Sequence, residues 1–382
     1  MTKKCKPLNK LAQKFKMTTV KDICRLIEQY APPALQESYD NSGLLVGNPD
    51  AEATGALICI DVTENIVNEA VARGFNLIVS HHPFIFGGIK KITGADETQR
   101  IVIEAIKNNI NIFAAHTNID SAANGVSAKM AQKLDLQNIK PLAPREKSLM
   151  KVVTFVPTNF AEKVRNALFE AGAGTIGNYD LCSYNSAGYG TFHAGENTNA
   201  FVGKKGELHT ENEVRIETVF PFYLKNKIES VLLATHPYEE PAYDFYLLEN
   251  QWNTTGFGAV GDLANPMPIK IFLEKVKNVF CVPTIRHTNI CKKEISRVAM
   301  CGGAGSFLIK NAKNSGADIF ITSDIKYHDF FLADNQLIIA DIGHYESEHF
   351  TKEIFYEIIQ KKFPTFAVRI SEIKTNPINY YF

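Results

Sequence analysis

The sequence predicts a mixed α/β protein: a mostly parallel α/β core domain in two halves, interrupted by an α+β insert of ferredoxin-like pattern. Three observations carry this. Short, continuous apolar runs such as "ALICIDV" and "FNLIVS" alternate with amphipathic helical segments, which marks strands buried on both faces. The same alternation returns near the end in "ISRVAM", "DIFITSD" and "QLIIADIGH". Between these regions lies a stretch reading strand–helix–strand(s)–helix–strand, the pattern of a small independent domain.

In order, "VKDICRLIEQYAP" has helical spacing and stops at Pro32-Pro33. "ALICIDV" is a buried strand, after which Thr63 caps the helix "ENIVNEAVARG" and Gly74 ends it. The strand "FNLIVSHHP", the helix "ETQRIVIEAIKNN", the strand "INIFAAHTNID" and a helix around "VSAKMAQKL" follow. In the insert, "KVVTFVP" and "NFAEKVRNALFEAG" are strand and helix. A Gly/Asn/Ser-rich stretch leads to "EVRIETVFP", "YLKNKIESVLLAT" and "AYDFYLLEN". The core then resumes with "ISRVAM", "CGGAG", the helix "SFLIKNAKNSG", "DIFITSD", "YHDFFLADN", "QLIIADIGH" and the helix "ESEHFTKEIFYEIIQKKF". The expected divisions are a basic extension at 1–16, a first core half at 17–147, the insert at 148–249 and a second core half at 250–382.

Composition sets the limits. A chain of 382 residues, 45% apolar and 21% charged, has ample material for two or three domains. Lys+Arg and Asp+Glu both total 41, so no net field draws the protein onto nucleic acid or an anionic membrane. No apolar run reaches membrane-spanning length. The opening "MTKKCKPLNKLAQKFKM" carries six lysines and no acid, and reads as a solvated tail before a domain that begins near Met17. Seven scattered cysteines without CxxC suit reduced thiols in a cytoplasmic protein, and argue against a thiolate zinc site. Any metal must be held by His, Asp and Glu.

Ligands of open parallel sheets bind beyond the carboxyl ends of the strands. Those ends carry His81-His82, then His116 and Asp120, then His344, Glu346, Glu348 and His349, then Asp324, Lys326 and His328, and the loop Gly302-Gly303-Ala304-Gly305. His344 and Glu348 are four apart at a helix start, so both project from one face. With His81, His82 and Asp120 they make five N/O ligands from three strand ends. Five are too many for one tetrahedral zinc and suit two metals sharing a bridging carboxylate.

Each segment also has a plainer reading. "HHP" also reads as a capped strand end, "HTNID" as a turn closed by Asp120, and "HYESE" as acids at the positive end of a helix. Their coincidence at one sheet edge favours the metal. Gly302, Gly303 and Gly305 suit either an anion cradle or close strand–helix packing. Asp324, Lys326 and His328 suit substrate contact or proton relay as well as a polar loop. "ATHPYEEPAYD" in the insert repeats the His-Pro pair with His236, followed by Glu239 and Glu240.

The segments "DNSGLLVG", "ICIDVT", "IVSHHPFIFGGIKKI", "AAHTNIDSAANGVS", "CGGAGSF" and "TSDIKYHD…DIGHYESE" closely resemble the NIF-three-like family, known in bacteria as GTP cyclohydrolase 1 type 2 homologs. The insert, with "THPYEEPAYD", resembles the PII/CutA-like domain of its longer members. The resemblance runs from about Met17 to Tyr381. It implies a toroidal homohexamer with a dinuclear metal site, two divalent metal ions, in each subunit. The mixed imidazole and carboxylate ligands admit Zn, Mn, Fe or Co, with zinc expected in the purified protein. The family's ligands carry over to His81, His82, Asp120, His344 and Glu348, with His116 beside them.

The function expected is a metal-dependent hydrolase of a nucleotide or other phosphorylated small molecule. The reaction implied by the family name opens the imidazole ring of a guanine nucleotide and releases formate, with His116 or His328 as general acid or base. The alternative is a non-enzymatic metal-handling or regulatory ring whose insert senses a small molecule. Nucleic-acid binding ranks third, against the neutral charge.

Overall fold

The computed structural model describes residues 17–252 and 254–381, and the basic extension expected at 1–16 lies outside them. The chain forms two compact units, Met1–Ile139 with Val260–Phe382, and Lys140–Ala259. The second is wider at both ends than the 148–249 outlined by the sequence. Among the described residues, no helix is long and apolar enough to cross a membrane.

The first unit holds one sheet whole and most of a second. One runs Gly43–Val46, Asn111–Ala114, Leu77–Ser80, Ala56–Cys59, Val368–Ile370. Its last four strands are parallel, and only Gly43–Val46 runs antiparallel to its neighbour. The central three strands are buried at every position, as continuous apolar runs require. Their register aligns Ile58, Val79 and Phe113 on one face and Leu57, Ile78 and Ile112 on the other.

Helices Val20–Tyr30 and Thr351–Lys362 cover the first face through Val20, Ile23, Ile27, Ile354, Phe355 and Ile359. Helices Glu64–Ala72 and Glu97–Lys107 cover the second through Ile66, Val67, Ile101 and Ala105. Burying each large side chain contributes roughly 1.5–3 kcal/mol. Caps start these helices: Thr19 and Asp22 bond each other's backbone amides at 3.2 and 3.0 Å, and Thr63 accepts from Ile66 N.

The other sheet runs Arg286–His287, Ile338–Asp341, Ile319–Ser323, Glu294–Ala304, Gly256–Pro268, Gln137–Pro144. Glu294–Ala304, Ile319–Ser323 and Ile338–Asp341 are parallel. The two core halves therefore contribute mainly to separate sheets rather than one, with Gln137–Pro144 of the first half joining the second sheet and the C-terminal strand Val368–Ile370 returning to the first. Helix Ile269–Phe280 belongs to the second half and was not among the elements outlined from sequence. Its buried Ile269, Phe272, Val276 and Phe280 nonetheless fall at helical spacing.

The second unit is a four-stranded antiparallel sheet, ordered Tyr184–His193, Leu208–Pro221, Leu149–Pro157, Tyr243–Leu248. Helices Ala161–Glu170 and Lys225–Thr235 pack on one face of it, around Val152, Val156, Val164, Leu168, Ile216, Phe220, Ile228 and Leu232. Strand Tyr184–His193 lies in the Gly/Asn/Ser-rich stretch, where polar residues hide the strand period.

Candidate metal centre

Strand register builds the centre. Cys59, Ser80 and Ala114 are aligned across three parallel strands, and two residues beyond each come Asp61, His82 and His116. His81 turns inward and is fully buried. The chain does not continue extended past Ala114, because Thr117–Asp120 forms a helical turn. Its first residue is fixed by Asp40, which accepts from Thr117 N at 2.9 Å and Thr117 Oγ1 at 2.6 Å. From the other sheet, the short helix His344–Glu348 follows Ile338–Asp341 and turns Glu348 inward. The helix expected as one piece is broken after Glu348 and resumes at Thr351.

All five predicted ligands come together. His82, His344 and Glu348 form one group with ligating atoms within 4.8 Å of one another, and His81, Asp120 and Glu348 form another. Glu348 belongs to both. Its Oε2 lies 2.9 Å from His82 Nε2 and 3.0 Å from His344 Nε2, while its Oε1 lies 3.6 Å from His81 Nε2. His81, His82 and His116 make a third group.

The outer ring nitrogens are all engaged. His82 Nδ1 lies 2.7 Å from Asp61 Oδ1, His344 Nδ1 2.5 Å from Asp324 Oδ2, His116 Nδ1 2.8 Å from Asp40 Oδ1, and His81 Nδ1 3.0 Å from the Ala115 carbonyl. Each acceptor draws the ring proton to Nδ1 and leaves the Nε2 lone pair pointing inward. The lone pairs of His82 and His344 then face each other at 3.3 Å, and both face a carboxylate. Only a proton or a cation relieves that arrangement.

Without a cation, protons are held there. Burial opposes charging His82, yet its bonds to Asp61 and Glu348 push it up to about 9. His344 is pushed up to about 11 by Asp324 and Glu348, again against burial. Asp120 rises to about 8, through burial and the nearby Glu348 charge. Burial alone would raise Glu348, but His81, His344 and His82 hold it well below the carboxylate range.

The donor set fits a divalent cation. Two buried atoms aimed into the cluster, His81 Nε2 and Asp120 Oδ1, lack any hydrogen-bond partner. Such orphaned groups are costly in a folded interior unless something outside the chain satisfies them. Imidazole and carboxylate together suit zinc and its neighbours in the first transition row.

The remaining predicted residues separate. Asp324 binds the His344 ring directly. Lys326 and His328 are exposed, with the His328 ring against Tyr327 and Phe331. His349 Nδ1 bonds the Glu346 carbonyl, and Glu346 accepts from Asn376 Nδ2. The glycine loop is taken up by the fold: Gly302 N donates to Ser127 Oγ at 3.2 Å and Gly303 N to Ser347 Oγ at 2.9 Å. An anion cradle from those two amides is therefore replaced by close packing. At Gly303, with φ +63°, a Cβ would lie 2.2 Å from Glu348 Oε1. Sequence reasoning missed Asp61 and Asp40. Asp61 was visible as the residue two past a strand end, the offset that His82 also has.

A family model described as Duf34/NIF3 (NGG1p interacting factor 3) matches residues 18–377. The chain belongs to the Duf34/NIF3 family. It is 38% identical over 375 residues to the GTP cyclohydrolase 1 type 2 homolog of Halalkalibacterium halodurans, covering 96% of this chain and 100% of the relative. The protein of the same name in Bacillus subtilis is 35% identical over 367 residues, covering 94% and 97%. Among solved structures, a Bacillus cereus protein related to NIF3 superposes with a TM-score of 0.83 at 37% identity, covering 96% of this chain and 100% of that one. Reduced HcgD from Methanocaldococcus jannaschii, at 19% identity and a TM-score of 0.55, shares the Duf34/NIF3 fold.

Proposed function

We propose that this Duf34/NIF3 protein is a dinuclear, metal-dependent hydrolase of a nucleotide or other phosphorylated small molecule, acting in the cytoplasm as a ring of six chains. Opening of a guanine nucleotide's imidazole ring, with release of formate, is the candidate reaction suggested by its relatives' name. The observation that carries the reading is the pair of ligand groups sharing Glu348, with His81 Nε2 and Asp120 Oδ1 left unsatisfied between them.

His82, His344 and Glu348 would hold one cation, and His81, Asp120 and Glu348 the other, with zinc taken up on purification and Mn, Fe or Co as alternatives. Bound divalent cations supply Lewis-acid polarisation and acidify a water molecule near neutral pH. Asp61 and Asp324 fix the tautomers of His82 and His344. His116, its Nδ1 tied to Asp40, presents Nε2 to the centre and is placed to carry a proton. His328 has no such placement.

The test is metal content by plasma mass spectrometry, for wild type and for a His81→Ala, Glu348→Ala variant, followed by a panel of nucleotides and phosphoesters with formate detection. About two metals per chain, lost in the variant, together with turnover of one substrate, support the reading. Metal without turnover across the panel leaves the regulatory, metal-handling ring as the better account. No metal after reconstitution removes both.

A further inference from the structure

The second unit contains a cavity of about 600 Å³, within the size range of small-molecule sites. Its floor is the sheet face opposite the two helices. Val152, Val156, Ile216 and Phe220 pack toward the helices, so strand alternation turns Phe155, Glu213 and Arg215 the other way, into the cavity lining. On the neighbouring strand, Gly188 pairs with Glu213 and Gly190 with Glu211. Backbone rather than side chains therefore floors the space. A Cβ at Gly188 would meet nothing within 4 Å, whereas one at Gly190 would fall 2.4 Å from Glu213 Oε2.

Aromatic rings form the wall. Tyr238 lies 6.1 Å from Phe192 and 6.2 Å from Phe201, between ring centroids. Phe201 rides on a loop pinned by Asn199 N donating to Glu239 Oε1 at 2.9 Å. The charge pattern is one-sided. Glu213 accepts from the neutral Tyr238 hydroxyl at 2.8 Å, and no cation pairs with it among the described residues. The lining cation, Arg215, is already paired with Glu217 at 2.9 Å. Glu239 and Glu240 add two further carboxylates to the lining.

Half-buried carboxylate beside aromatic faces is the chemistry that receives an organic cation, by ion pairing and by cation–π attraction. The same charges repel phosphate. We propose that this cavity binds a small organic cation with a flat apolar body, an arylalkylamine in kind, with its ammonium on Glu213 and its ring against Phe192, Phe201 and Tyr238. Every residue invoked belongs to Lys140–Ala259, so this site stands or falls separately from the metal centre.

The test is calorimetric titration of the full chain with tryptamine, and with indole-3-propionate as the matched anion. Saturable binding of tryptamine alone is expected, weakened about tenfold or more by Glu213→Gln, which removes the charge and keeps the shape. Gly188→Leu fills the cavity and is expected to abolish binding with an unchanged thermal midpoint. If Gly188→Leu does not fold, Glu213→Gln decides alone. Equal binding of the two probes, no binding of either, or tryptamine binding that survives in Glu213→Gln or in a folded Gly188→Leu overturns the proposal.

Discussion

Thr375 Oγ1 donates to Asp61 Oδ2 at 2.6 Å, and the other oxygen of that carboxylate holds His82 Nδ1 at 2.7 Å. A residue of the C-terminal segment thus orients a ring from the third strand of the first sheet. Outer-sphere partners of metal-bound histidines commonly govern affinity by about 10–100-fold. Asp61→Asn is expected to weaken zinc binding by a factor in that range, and Thr375→Val by a smaller one, with unchanged circular dichroism. Competition against a chelating dye measures both. An affinity equal to wild type in Asp61→Asn would remove the positioning role.

Gly303→Ala should cost stability twice over. The residue sits at φ +63°, and the added methyl would be thrust onto Glu348 Oε1. Left-handed backbone in a non-glycine residue costs about 1–2 kcal/mol before any clash. The expected result is a lower thermal midpoint together with loss of bound metal. Gly316, with φ +73° and open space around its Cβ position, is the control: Gly316→Ala should lose stability and retain metal.

The cation-free protein should become less stable as pH rises from 6 to 9. His82 is held near 9, above its ordinary value, so the stabilisation it contributes is complete below about 6.5 and disappears as pH climbs through 9. Asp120, pushed up to about 8, acts with the same sign: the fold keeps a proton that the unfolded chain has released above about 4. Cation binding must displace these protons and therefore tightens with pH. Melting curves with chelator and with zinc should diverge steadily from pH 6 to pH 9. A chelated midpoint that rises with pH would contradict this.

Leu168→Ala probes the second unit. The side chain is fully buried against the sheet, and truncation of such a leucine costs about 2–5 kcal/mol. Metal content per chain should match wild type, because no ligand lies in that unit. Loss of metal in this variant would show that the two units fold as one.

The candidate ligands were legible because they are local events. His81-His82 ends an unmistakable buried strand, and His344 with Glu348 needs only helical spacing. What escaped depended on alignment between strands. Asp61 is unremarkable in "ICIDVT" until Cys59 is known to pair with Ser80. Asp324 stands near Lys326 and His328 in sequence, yet its partner is His344, twenty residues on. The fate of the glycine amides hinged on Ser127 and Ser347, which no nearest-neighbour pattern connects to "CGGAG". The separation into two sheets was likewise hidden. So was the return of Val368–Ile370, which pairs with Ala56–Ile58 across most of the chain.

That last pairing has a consequence for the order in which the protein is made. As the chain emerges from the ribosome, the first sheet is left with a bare edge along Ala56–Cys59 until residues 368–370 have been translated. His81, His82 and Asp120 are synthesised early and wait for His344 and Glu348. A message truncated before residue 348 yields a polypeptide with an exposed strand and half a centre.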